Sequence, residues 1–318
     1  MIDWLKSDIT NAVHDLQSFY SNITLNKCNA SLKTDRNGQL LKENFEMNNS
    51  LVFVVRYNET GKIKRVEMQV SLHKYFAGGF NFSDFYFKDV FAGIASICLT
   101  YEINPFKATI LNLEAGFNVT PQIETDTFLN GLYFYKTVPF TEMKNKFRYK
   151  VGIEATLSDY VVKCYNKRSQ LMSKIQLPKE LLRYEVHFNV MRKVNECGIY
   201  CLADLLNHNH VYKLSKLVLS TLEDLVHFEP KLLNQRLTTP DKRLVNQWKN
   251  PKEIATLMKD NSQRFRRQRR RFKELSFEVE LSTLTEVKRA IHAKEKRLLQ
   301  LDYTTIKQID FFLSNYQK

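Results

Sequence analysis

Apolar and polar residues alternate with the two-residue period of a β-strand in three short segments, and each alternation leaves one row of side chains for a core and one row free for chemistry. In residues 110–118, Leu111, Leu113, Ala115 and Phe117 form the core row, and Asn112, Glu114, Gly116 and Asn118 the other. In residues 182–188, Leu182, Tyr184, Val186 and Phe188 turn inward, leaving Arg183, Glu185 and His187. The segment 159–167 sets Lys163, Tyr165 and Lys167 on its corresponding face and turns Tyr160 and Cys164 to the core. Paired in one sheet, the three would gather a tyrosine, two carboxylates, a histidine and several cations on a surface outside the hydrophobic core. Such a convergence is expected of an active site.

Further elements follow from the same reading. Residues 51–57 and 63–72 flank Asn58-Glu59-Thr60-Gly61-Lys62, a hairpin signal. Ser83-Asp84 precedes a helix over about 85–101 that Asn104-Pro105 ends, and strands are expected over 132–138 and 146–153. All nine glycines lie at or before Gly198. Turns between strands need glycine and helix interiors avoid it, so residues 1–198 are expected to form an α+β domain in which an antiparallel sheet with packed helices carries the active site. Residues 199–318 are expected to be mainly helical, punctuated by Pro230, Pro240 and Pro251, with amphipathic stretches over 251–275 and 283–300. There is no internal repeat and no low-complexity linker.

Composition narrows the class. The chain has 318 residues, 43% of them hydrophobic and 12% aromatic, enough for one large or two moderate cores. No apolar run approaches a membrane span, and the N-terminal residues lack a basic start and a hydrophobic stretch, so a cytoplasmic protein without a membrane partner is expected. Five cysteines, at 28, 98, 164, 197 and 201, make no disulfide framework, and each is read as a buried, reduced thiol. The net charge of +14 favours a polyanionic partner, most simply nucleic acid. Residues 199–318 hold 23 lysines and arginines against 14 acids, +9 of the +14. The densest run, Arg264, Arg266, Arg267, Arg269, Arg270, Arg271 and Lys273, is interleaved with Phe265 and Phe272. Its cations suit phosphates, with rings that anchor the segment or stack on bases; the alternative is a solvated helix face with two core phenylalanines.

Two of the alternating segments also carry a resemblance. Tyr165-Asn166-Lys167-Arg168-Ser169-Gln170, followed by Leu182-Arg183-Tyr184-Glu185-Val186-His187, resembles the tyrosine motif and Arg-x-Glu strand of rolling-circle replication initiators of small plasmids and filamentous phages. Ser158-Asp159-Tyr160 is similar to the approach to that tyrosine, and Glu114-Ala115-Gly116-Phe117-Asn118 to an upstream strand of metal-holding acids. The pattern departs at Asn118, where the family has a second acid, and at His187, where plasmid members tend to have another. The match covers roughly residues 80–210.

The resemblance implies a bacterial host and an enzyme that nicks and rejoins origin DNA, single-stranded and double-stranded, with a host helicase or a second copy of the chain as partners left open. Tyr165 would attack a phosphodiester and hold a 5′-phosphotyrosine, with a free 3′-hydroxyl left behind. Lys163 and Lys167 would stabilise the phenolate and phosphate, and Arg183 would clamp a phosphate. Glu114 and Glu185, with His187 or Asn118, supply ligands for Mg²⁺ or Mn²⁺. Arg183 and Glu185 also admit a plain ion pair. Two other functions fit the same residues: a sequence-specific DNA-binding protein that does not cut, and a metal-dependent nuclease that uses water. His208-Asn209-His210 reads as a loop or cap rather than a metal site, and Gly78-Gly79 as a turn. No Walker sequence or zinc-spaced cysteine set is present.

Overall fold

The structure, a computed structural model, describes residues 2–145, 147–172, 175, 177, 179–278 and 282–317. Strand β1 (Ile2–Asp8) is followed by helix α1 (Leu16–Asn26), capped by Asp15, whose carboxylate accepts from the backbone N–H groups of Gln17 and Ser18. Two hairpins come next, β2 (Asn29–Thr34) with β3 (Leu40–Glu46), and β4 (Leu51–Tyr57) with β5 (Ile63–Ser71). The second is the predicted one: Asn58 N–H donates to the Lys62 carbonyl, and Gly61 takes a φ of +75°, which glycine adopts without a Cβ clash. After α2 (Leu72–Phe76), helix α3 (Phe87–Thr100) begins later than Ser83-Asp84 suggests. Its N-cap is Tyr86, whose N–H donates to the Asp89 carboxylate, while Asp84 accepts from Arg297. Strand β6 (Thr109–Val119) follows.

The middle of the chain forms α4 (Thr125–Gly131), β7 (Leu132–Tyr135), β8 (Val138–Pro139), β9 (Thr141–Lys144), β10 (Lys150–Thr156), β11 (Tyr160–Asn166), α5 (Lys167–Leu171) and β12 (Leu182–Phe188). The strand expected over 132–138 breaks at Lys136, which has a φ of +55°. The one expected over 146–153 starts at Lys150, and Lys146 lies outside the described residues. Then come α6 (Arg192–Asn195), α7 (His208–Leu222), β13 (Leu225–His227), α8 (Thr239–Trp248), α9 (Pro251–Asp260), α10 (Ser262–Glu278), α11 (Thr283–Leu298) and α12 (Tyr303–Ser314). Pro240 and Pro251 sit in the first turns of α8 and α9, where a missing N–H breaks no helical bond. The amphipathic stretch over 251–275 divides at Asn261, the C-cap of α9, whose Oδ1 accepts from the Arg264 N–H of α10. The chain is thus α+β, an antiparallel sheet followed by a part that is helical apart from β13. No helix among the described residues is long and apolar enough to cross a membrane.

The chain forms two compact units. Unit 1 comprises Met1–Gly116, Val186–Leu217 and Glu295–Lys318; unit 2 comprises Phe117–Glu185 and Val218–Lys294. Strands β6 and β12 each contribute residues to both. In unit 1 the strands run in the order β2-β3-β4-β5-β1-β6, every neighbouring pair antiparallel. Phe53 of β4 anchors the core beneath them and meets Phe19 of α1 edge-on at 5.1 Å. In unit 2 the order is β12-β11-β10-β9, and β13-β7-β8 make a separate small sheet. A second core of unit 2 joins Phe134 and Val226 of that small sheet to Trp248, Phe265 and Phe272 of the helices.

The core rows read from the alternation hold: Leu113, Ala115, Phe117, Val162, Cys164, Leu182, Tyr184, Val186 and Phe188 are all buried, although Leu111 is only half-buried. The opposite rows correct the expectation of an open surface. Glu114, Asn118, Tyr165, Arg183 and Glu185 are buried as well, while the side chains of Lys163 and His187 are 21% exposed. Alternation separates two faces of a strand, but it carries no information about what packs on the second. The cysteines also divide: Cys98, Cys164 and Cys197 are buried, and burial pushes the Cys98 thiol up to about 12, whereas Cys28 is exposed and donates to Asn48. All five are free.

Candidate active site

In unit 1 the site residues gather around a bulge. Ile2 pairs with Ala115 and Trp4 with Glu114, so Asp3 is the extra residue between them, and a bulge re-aims the side chain it carries. The Asp3 carboxylate accepts from Asn81 Nδ2, at 2.9 and 3.2 Å, and from Ser71 Oγ at 3.1 Å. A carboxylate oxygen of Glu114 lies within 4.8 Å of one of Asp3. Glu114 Oε2 is 3.0 Å from His187 Nδ1, and the imidazole packs on the Trp4 ring with centroids 5.4 Å apart. Two carboxylates at that range repel unless a proton or a cation lies between them. With the imidazole they form a set of oxygen and nitrogen donors that suits a small divalent cation. Sequence reading missed Asp3, because the bulge that aims it depends on the pairing with β6. The only local signal is an acid set between Ile2 and Trp4.

Unit 2 brings together Tyr165, Lys163, Lys167, Arg183, Glu185 and Asn118. Tyr165 of β11 donates its hydroxyl to Glu185 Oε2 of β12 at 3.0 Å. Arg183 Nε donates to the same oxygen at 2.5 Å, and Lys163 Nζ lies 3.5 Å from Glu185 Oε1. Arg183 Nη1 in turn donates to Asn118 Oδ1 at 3.2 Å. The expected phosphate clamp is therefore engaged by protein groups, and the amide oxygen expected to bind metal is an acceptor for arginine. Lys167 is the first residue of α5, where the strand alternation no longer applies. Its Nζ donates to Gln170 Oε1 at 2.7 Å and sits 5.5 Å from the centre of the Tyr165 ring. Asn166 caps α5 by accepting from Ser169 N–H, so the Tyr-Asn-Lys-x-x-Gln frame is a strand end, a cap and a first helical turn.

Gly152 of β10 pairs directly with Tyr165. A Cβ there would lie 2.2 Å from Tyr165 Cβ and 2.5 Å from the Cys164 carbonyl oxygen, so only glycine lets β10 close on the tyrosine. This supporting position was also missed, since a glycine inside a strand reads locally as a weak point.

No protein-family model and no curated protein matches the chain. Among solved structures, the rolling circle replication initiator protein from Geobacillus stearothermophilus is similar at a TM-score of 0.39 and 14% identity, over 76% of this chain and 89% of that one.

The basic run falls on α10, and its parts have different surroundings. Phe265 and Phe272 are wholly buried against Trp248, which rules out stacking of either ring on bases. Arg271 pairs with Asp241, holding that carboxyl below its usual range, and Arg270 lies 3.7 Å from Glu274. Arg269 donates to the Lys136 carbonyl and Lys273 to the Glu223 carbonyl. Arg264, Arg266 and Arg267 are exposed. His208 and His210 open α7, where Asn207 Oδ1 accepts from the N–H groups of Asn209 and His210, and His208 Nε2 lies 2.8 Å from the Leu299 carbonyl oxygen. The motif expected to be a loop or cap is thus the first turn of α7, and the capping side chain is Asn207.

Proposed function

We propose that the chain is a DNA nicking and joining initiator of rolling-circle replication, with Tyr165 as nucleophile. The observation that carries this reading is the Tyr165 hydroxyl, set on a buried carboxylate by a hydrogen bond and flanked by Lys163 and Lys167 within a sequence frame that resembles the initiators' tyrosine motif. The phenol oxygen forms a bond to phosphorus, the bond from phosphorus to the 3′ oxygen breaks, and that oxygen takes up a proton from solvent and leaves as a hydroxyl. The phenol's own proton departs along its hydrogen bond to Glu185. Because the phosphodiester is exchanged for a phosphotyrosine, the step can be reversed by a 3′-hydroxyl to rejoin the strand. The neighbouring cations stabilise the negative charge that develops on the phenol and the phosphate.

A divalent cation, Mg²⁺ or Mn²⁺, supplies Lewis-acid stabilisation of the phosphate oxygens when bound. Glu114 and Asp3 are the proposed carboxylate ligands, joined by His187. The close pair of carboxylates in unit 1 supports that set, as does the imidazole 3.0 Å from Glu114. Asn118 is assigned instead to holding Arg183, and Arg183 to holding Glu185.

A second reading, a metal-dependent nuclease that uses water, is favoured by one observation: Tyr165 is only 3% exposed, so its hydroxyl meets a phosphate only after local opening. Incubating the full chain with single-stranded origin DNA and Mn²⁺, then denaturing it, separates the readings. A protein–DNA species that survives denaturant is expected. Cleavage without such a species selects the water-using nuclease, and binding without cleavage selects a protein that does not cut.

A further inference from the structure

Helix α10 divides into two halves with different surroundings. The roll of the helix is fixed by Phe265 and Phe272, both stacked on Trp248 with ring centroids 6.0 and 4.5 Å away and planes within 15°. From Arg269 onward three cations are held by the protein itself, and the exposed Arg270 lies 3.7 Å from Glu274. Arg271 binds Asp241 through two hydrogen bonds, 3.0 and 2.9 Å, and Arg269 and Lys273 donate to carbonyl oxygens of Lys136 and Glu223. In the N-terminal half, Gln263, Arg264, Arg266 and Arg267 are exposed, and none of these three arginines takes part in an ion pair with another described residue.

That half is electrostatically costly by itself. The N-terminus of a helix carries a partial positive charge, which disfavours cations in the first turns. Arg264 and Arg267 are three residues apart, and Arg266 and Arg270 four, the spacings at which like charges on a helix repel. The surroundings add to the imbalance, since residues 239–278 hold 12 lysines and arginines against 5 acids. A polyanion laid along this face would remove each of these penalties.

We propose that the N-terminal half of α10 docks in the major groove of duplex DNA, using Arg264, Arg266, Arg267 and Gln263, and that the C-terminal half makes no contact with the DNA. A helix with its side chains is about 10–12 Å across, and the groove is about 12 Å wide. Duplex is favoured over single strand by the fate of the aromatic residues. Unpaired bases are bound by stacking on exposed rings, yet Trp248, Phe265 and Phe272 are wholly buried, and no described aromatic side chain of α8, α9 or α10 is exposed. What this face offers is guanidinium and amide donors, which suit phosphates and base edges. The inference rests on the proposed function only in taking DNA as the nucleic acid.

The test measures binding of the full chain to a fluorescent 30-base-pair duplex and to a single strand of equal length, across a KCl series without divalent metal. In R264Q/R266Q/R267Q the slope of log affinity against log salt on the duplex should fall in magnitude by about 0.9 for each lost phosphate contact, roughly two to three units in all. In R269Q/R271Q/K273Q, or in R271K where the triple variant fails to fold, the duplex slope should stay at its wild-type value while the melting temperature drops. An unchanged duplex slope in the first variant, or an equal loss of slope on the single strand, overturns the proposal. Because no cleavage is read, a chain that never nicks leaves this comparison intact, and an unchanged slope leaves the nicking chemistry intact.

Discussion

The acidic group of unit 1 and the tyrosine group of unit 2 use their carboxylates differently. In unit 1, Asp3 and Glu114 come within 4.8 Å of each other; Asp3 accepts hydrogen bonds from an amide and a hydroxyl, and an imidazole lies at Glu114. In unit 2, one carboxylate, Glu185, serves a guanidinium, an ammonium and a phenol. The first arrangement concentrates negative charge, as a metal site does; the second uses its charge to fix the proposed nucleophile. The two groups should therefore answer to different perturbations, the first to metal concentration and the second to the side chains around the tyrosine.

The largest expected effect is on the nucleophile. Tyr165→Phe should reduce the covalent adduct below detection while origin binding stays within a few-fold of wild type, because the ring and its neighbours remain; a gel of denatured reactions together with a binding titration checks both. Next come the carboxylates. Asp3→Asn and Glu114→Gln should each slow cleavage by orders of magnitude and raise the Mn²⁺ concentration needed for half-maximal rate, since each removes a charged ligand. Glu185→Gln should slow cleavage as severely. Its Mn²⁺ requirement should stay at the wild-type value, since Glu185 serves the tyrosine group; a raised requirement would contradict that role.

Two smaller effects test how firmly unit 2 is built. His227 is buried against Phe128 and Gly131, and burial lowers its imidazole to about 4. The unfolded chain takes up that proton below about pH 6.5 and the folded one only near pH 4, so the contribution to stability is complete above pH 6.5 and is lost as the pH falls toward 4. The loss amounts to about 3 kcal/mol. The protein has two tryptophans, Trp4 in unit 1 and Trp248 in unit 2, so Trp4→Phe leaves Trp248 as the reporter in urea titrations at several pH values. His227→Leu should flatten that dependence. Gly152→Ala should cost about 1–3 kcal/mol by forcing β10 away from Tyr165, and the same titrations would show it as a lowered midpoint.

Much of this arrangement was legible in the chain. The hairpin around Asn58 and Gly61 follows from turn chemistry, and the inward rows of β6, β11 and β12 follow from the pleat, because both are local consequences of backbone geometry. The membership of the tyrosine group was also readable, with Lys163, Tyr165, Arg183 and Glu185 meeting as the alternation suggests. What the sequence withheld depends on partners distant along the chain. Asp3 is aimed by a mismatch in pairing with β6, and Gly152 matters because of the residue opposite it. Lys167 left the strand because Asn166 caps a helix there, and the run on α10 separated into two kinds of arginine only once Asp241, Lys136 and Glu223 were seen beside it. The same distinction explains Asn118 and Arg183, whose donors and acceptors meet each other across strands.

The central claim is that Tyr165 forms the covalent bond to DNA, and the most direct test is to locate that bond. The adduct formed with single-stranded origin DNA and Mn²⁺ would be trimmed with nuclease and protease and the modified peptide sequenced by mass spectrometry. The account predicts a 5′-nucleotide joined to the Tyr165 hydroxyl. A nucleotide on any other residue, or cleaved DNA with no modified peptide, would contradict it.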